Sequence, residues 1–155
     1  MLSTPIIFLP ILLQGLIMAI DEFYFHRKRG LGTWEKIGHP LDTLTLLAAI
    51  IIAAFTPYAP ATFIVFLGLS IFSCLFVTKD EFVHSREAPP FENWLHSLLF
   101  LLHPVLLLSI HELWVRGQSN LLQYLALAVL AFATYQALYW NFFRRKPYDL
   151  AASKQ

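Results

Sequence analysis

A chain of 155 residues that is 57% hydrophobic and 14% charged, with a mean hydropathy of +0.60, is too apolar for a water-soluble domain. Its net charge of +1 says nothing about nucleic acid, and its basic residues form membrane-edge clusters without a DNA-binding motif, so no nucleic-acid partner is expected. The lone cysteine, Cys74, excludes a disulfide framework and a thiolate-rich metal cluster.

Residues 1–20 carry no Asp, Glu, Lys or Arg, and neither do 43–78, 93–111 or 117–143. A bilayer core about 30 Å thick is crossed by roughly 20 helical residues, so these runs predict five transmembrane helices. The first is expected at about 4–25. It lacks a basic n-region and a small-x-small cleavage site, and Pro5, Pro10 and Gln14 interrupt it, so it reads as a retained span and not as a signal peptide. Pro57-Tyr58-Ala59-Pro60 divides the next charge-free stretch into spans at about 39–56 and 60–79. Cys74 lies in the latter, with packing as its expected role. The fourth span is expected at about 93–114, with His103 two turns beyond His96, and His111, Glu112 and Arg116 at its far end read as a solvated edge. The fifth, at about 119–143, has no acid, base or histidine. Its Ala126, Ala128, Ala131 and Ala133 permit close helix approach, against the bundle or against a partner chain in an oligomer. The fold class is therefore all-α, a polytopic membrane helical bundle forming a single membrane domain.

Arg27, Lys28, Arg29, Lys36, Lys79, Arg86, Arg144, Arg145, Lys146 and Lys154 all fall on one side of such a topology, and only Arg116 on the other. The positive-inside rule then places the N-terminus outside, and the loops after spans one and three, with the tail 144–155, in the cytoplasm. Trp34, Phe91, Trp94, Tyr139 and Trp140 fall near the same charged edge, as interfacial aromatics do.

Around those two loops the sequence repeats. Asp21-Glu22-Phe23 recurs as Asp80-Glu81-Phe82, and Trp34-Glu35-Lys36-Ile37-Gly38-His39 aligns without a gap on Phe91-Glu92-Asn93-Trp94-Leu95-His96. The reading is a duplicated helical hairpin, with repeat 1 at about 4–56, repeat 2 at about 60–114 and an extra helix at 119–143. Spans one and three run the same way, so the halves are parallel repeats about an axis along the membrane normal. Two such hairpins predict a four-helix bundle.

Each quarter holds an acid four residues before a histidine: Glu22 and His26, Glu35 and His39, Asp80 and His84, Glu92 and His96. Ten acids and six histidines in this length would place roughly 0.4 such same-face pairs by chance. Four pairs at four helix ends on one membrane side point to a shared site. In the third quarter the Asp-Glu-Phe alignment selects Glu81 over Asp80 as the equivalent of Glu22. Imidazole nitrogen with carboxylate oxygen suits iron, manganese or zinc.

Carboxylates and imidazoles converging from four helices resemble the di-metal site of ferritin-like di-iron and di-manganese proteins, in which two helices give Glu and two give Glu-x-x-His. The resemblance spans about residues 20–104, and Glu81-Phe82-Val83-His84 reproduces the Glu-x-x-His spacing. It implies two metal ions, iron foremost with manganese or zinc as alternatives, on Glu22, His26, Glu35, His39, Glu81, His84, Glu92 and His96. Asp21, Asp42, Asp80 and His103 stand as outer hydrogen-bond partners or alternative ligands. The His-x-x-His-His clusters of membrane hydroxylases and desaturases are absent, so the likeness to those enzymes is chemical only.

The expected function is a membrane di-metal oxidoreductase working at the cytoplasmic face on dioxygen or on a lipid-soluble substrate such as a quinone, with membrane lipids around it. One alternative is a zinc-dependent hydrolase with Asp42 or Asp80 as its base. Another is a non-catalytic metal transport, storage or sensing protein whose ligands saturate both ions. Bis-histidine haem is disfavoured because every one of these histidines brings a carboxylate.

Overall fold

The computed structural model of the protein describes residues 4–144, apart from the side chains of Thr4, Val83, His84 and Glu87. Every long apolar run among them is a helix: α1 (Thr4–Ile20), α2 (Thr33–Phe55), α3 (Pro60–Val77), a short α4 (Glu81–Glu87), α5 (Pro90–Val115) and α6 (Ser119–Leu138). Three continue in altered winding. α1 runs on through an i→i+5 turn at Asp21–His26 and a last α-turn at Arg27–Arg29, α3 tightens into a 3₁₀ turn at Thr78–Asp80, and α6 loosens into an i→i+5 turn at Tyr139–Phe143. With these extensions, five helices are long and apolar enough to cross a membrane.

α2 and α5 begin earlier than the charge-free runs suggest, because an acid belongs in a helix's first turn, where it meets free backbone N–H groups. Glu35 Oε2 accepts the Gly32 N–H at 2.7 Å, and Glu92 holds the matching place in α5 behind Pro90. The loop before α2 turns at Gly30, whose φ of 79° suits glycine and disfavours side-chain-bearing residues.

Helices in lipid associate by close packing and polar contacts, since the surrounding chains are as apolar as leucine. α2 is the hub. Ala49, Ile50 and Ala53 are fully enclosed, and α2 packs most extensively along α6. The face that α6 turns inward carries Leu122, Ala126, Ala133, Gln136 and then Trp140, at the three- and four-residue intervals of one helical stripe. Ala128 and Ala131 face outward. α2 also lies against α3, and α1 against α5. Pro40 cannot donate to the Lys36 carbonyl, and Asn141 Nδ2 from the end of α6 donates to it instead at 3.2 Å. Large apolar side chains such as Ile64 (68% exposed) and Leu101 (70%) cover the outside, an arrangement suited to lipid and costly in water.

Candidate metal centre

The end of the first span, the starts of α2 and α5, the end of α3 and the end of α6 meet at one end of the bundle. Asp21 Oδ2 lies 2.9 Å from His96 Nε2 and 3.1 Å from His26 Nε2, and Glu92 Oε1 lies 3.6 Å from His26 Nε2. These four residues are buried and present ligand atoms all within 4.8 Å of one another, a group able to hold a metal ion. Two of its oxygens, Asp21 Oδ1 and Glu92 Oε2, are buried without a hydrogen-bond partner. Each such acceptor costs about 1–3 kcal/mol, more when charged, and a cation is what would relieve it.

Local winding builds this group. In an α-helix residues five apart point about 140° from each other, which would separate Asp21 from His26. The i→i+5 turn brings both to one face, a use of π-turns common at functional sites.

A second group adjoins the first, with the His39 ring 4.7 Å from that of His26. His39, Asp42 and Asp80 also present ligand atoms within 4.8 Å, and His39 Nδ1 lies 3.5 Å from Asp80 Oδ2. This group already has a cation. Lys79 Nζ donates to both Asp42 oxygens at 2.7 Å and to Asp80 Oδ1 at 3.0 Å. Gly38 makes room for the cluster, since a Cβ there would meet Asp80 Oδ1 at 3.2 Å and Lys79 Nζ at 3.5 Å. A cavity of about 70 Å³ runs beneath both groups, reaching Glu22, Gln136 and His103.

Glu22, Glu35 and Glu81 belong to neither group. Glu35 is bound by Arg29, whose Nη1 and Nη2 donate to its two oxygens at 3.0 and 2.7 Å, while Arg29 Nη2 also donates to Glu92 Oε1 at 2.8 Å. Glu22 accepts from Trp140 Nε1 and, at 3.2 Å, from Gln136 Nε2, and its Oε2 faces His26 Nδ1 at 3.5 Å. Glu81 is exposed, whereas Asp80 is 2% exposed, so the inward carboxylate differs from the one the alignment selects. The 3₁₀ turn at the end of α3 has no counterpart in the i→i+5 turn at the end of the first span. That difference turns aligned residues in different directions. The side chain of His84 is outside what the structure describes. His103 is in neither group: Gln14 Nε2 lies 3.0 Å from its Nδ1 and Ser73 Oγ 2.9 Å from its Nε2.

Reading i,i+4 pairs missed the partners that come from other helices. Arg29, Lys79, Gln136 and Trp140 all touch the site, and only Gln136 carries a sequence signal, as an isolated amide within an apolar span. No family model matches the chain, and no curated protein or solved structure matches it. Fold and site by themselves define its class, an all-helical protein with five helices long and apolar enough to span a membrane and buried histidine–carboxylate groups able to hold a metal ion.

Proposed function

We propose that the protein is a membrane-embedded di-metal oxidoreductase, with iron as its metal, acting on a lipid-soluble substrate near the cytoplasmic face. The observation that carries this reading is the four-ligand group of Asp21, His26, Glu92 and His96, with two buried carboxylate oxygens that lack donors. Charge supports a pair of ions. Six carboxylates, those of Asp21, Glu22, Glu35, Asp42, Asp80 and Glu92, gather here around ion pairs from Arg29 and Lys79, an excess of acid of the kind that divalent ions balance. The first ion belongs to the four-ligand group. The second belongs to His39, Asp42 and Asp80, in place of the Lys79 ammonium. The cytoplasmic placement rests on the clustering of Lys and Arg at this end.

Iron so held would supply one-electron and dioxygen chemistry. The chain's own residues orient the ligands. Glu22, held by Trp140 and Gln136, engages His26 Nδ1 and leaves Nε2 turned toward Asp21 and Glu92. Arg29 fixes Glu92 through Oε1 while leaving Oε2 open. Two cross-pairs, Asp21 with His96 and Asp80 with His39, join corresponding positions of the two sequence repeats, which supports a duplicated hairpin with a two-fold axis through the site.

Metal analysis of detergent-purified protein tests the reading. Two equivalents of iron per chain, with a Mössbauer spectrum of a coupled pair, are expected. Two equivalents of zinc would move the assignment to hydrolysis, and a protein without metal at this end would end it.

A further inference from the structure

The cavity beneath the two groups has a groove beside it. Between α1 and α6 runs an apolar groove of about 240 Å³, which shares Gln14, Met18, Thr43, Leu46 and Phe132 with the cavity under the histidines. The two helices make little contact along it. They close only at the site end, where Phe23 meets Tyr135 at 5.3 Å and Arg27 stacks on Tyr139 at 5.2 Å. The groove thus lies along the apolar stretches of the two helices and adjoins the cavity under the polar groups.

At the junction stands Gln14, 4% exposed. Its orientation follows from counting protons. The Thr45 hydroxyl donates to the Asp42 carbonyl at 2.8 Å, so Ser73 must donate to Thr45 at 2.9 Å. With its one proton spent, Ser73 accepts from His103 Nε2 at 2.9 Å, which leaves His103 Nδ1 to accept from Gln14 Nε2 at 3.0 Å. The other end of the amide, Gln14 Oε1, is buried with no hydrogen-bond partner. Thr43 offers it nothing, because the Thr43 hydroxyl is directed to Gln136 Oε1 at 2.8 Å. An unpartnered acceptor where an apolar channel meets a polar cavity calls for a ligand with a donor head and an apolar body.

We propose that this groove admits a hydroxyl-bearing lipid from the bilayer, its hydroxyl donating to Gln14 Oε1 and its chain lying along Gly15, Ala128 and Phe132. The inference names the substrate class for the oxidoreductase reading above and rests on it for the chemistry, though the binding itself is read separately. A hydroxyl held at Gln14 faces the cavity that Asp21, His26 and His96 also line.

The test is photolabelling of the full-length protein in detergent with a diazirine-bearing hexadecanol and, beside it, the methyl ether of the same probe, with labelled residues mapped by mass spectrometry. The alcohol should label Gly15, Met18, Ala128 or Phe132 at least tenfold more strongly than the ether. Gln14→Leu should bring the two probes to parity. Gly15→Leu should abolish labelling without lowering the thermal midpoint, because nothing lies within 4 Å of a Cβ built there. Competition by unlabelled hexadecanol or by a long-chain hydroquinone then tells an aliphatic from a phenolic hydroxyl. Equal labelling by alcohol and ether, or labelling that survives Gly15→Leu, overturns the proposal. Metal content is measured on the same samples: selective labelling of a metal-free protein would leave the hydroxyl-lipid site standing and remove the di-metal reading, and a metal-loaded protein whose groove does not label would do the opposite.

Discussion

Two neighbouring clusters at one end of the bundle start from the same pair of residue types and finish differently. Asp21 with His96 and Asp80 with His39 each join a span-ending aspartate to a histidine near the start of another span. Around the first pair stand His26 and Glu92, and two carboxylate oxygens have no donor. Around the second stand Asp42 and Lys79, and the ammonium reaches three carboxylate oxygens. The lesson concerns counter-charge. Where the Lys79 ammonium reaches three carboxylate oxygens the cluster already holds a cation, and where Arg29 reaches Glu92 Oε1 and leaves two carboxylate oxygens without a donor, the cluster could hold a metal ion.

Removing the shared ligand of the first cluster should have the largest effect. Asp21→Asn is expected to lower metal affinity by about 100-fold or more, since one carboxylate oxygen faces two histidines; titration of the stripped protein with ferrous ion reads this directly. Asp80→Asn should cost about tenfold by the same assay, and Glu81→Gln should change nothing, because Glu81 is exposed. A larger loss from Glu81→Gln would restore the alignment's choice of ligand.

Next is the cation that ties α2 to α5. Arg29→Met leaves Glu35 and Glu92, both fully buried, without their guanidinium, and is expected to destabilise the fold by about 3–5 kcal/mol. Added divalent metal should return part of the lost thermal midpoint if Glu92 is a ligand, and no rescue would separate Glu92 from the metal.

Lys79→Met sharpens the contrast between the clusters. With its ammonium gone, the second cluster resembles the first, and metal binding there should tighten by about tenfold, while the first position keeps its affinity. Loss of metal from both positions would instead make Lys79 part of the scaffold they share. Smallest of all, Gly38→Ala should cost about 1–3 kcal/mol by pressing a methyl against Asp80 and Lys79, with the second cluster's metal affinity falling before the first's.

Much of the gap between sequence and structure lies in the turns that end the spans. Spacing within a helix paired Glu22 with His26 and Glu35 with His39, because i,i+4 neighbours share a face in an α-helix. The altered winding at Asp21–His26 and Thr78–Asp80 brings Asp21 to the histidines beside Glu22, which stays buried with its Oε2 3.5 Å from His26 Nδ1, and puts Asp80 in the place expected of Glu81. Glu35 points inward as its pattern suggests, yet Arg29 has claimed it. Spacing also gives no sign that the same guanidinium holds Glu92, 63 positions away in sequence.

The sequence by itself determined the five apolar helices and the gathering of acids and histidines at one end, because hydropathy and charge act locally along a chain that must satisfy its own backbone in lipid. The tertiary structure alone decided which carboxylates meet which histidines, which of them pair with Arg29 and Lys79, and where an apolar groove adjoins the cavity. Those outcomes depend on the winding of helix ends and on side chains arriving from other helices, and both are settled only when the bundle packs.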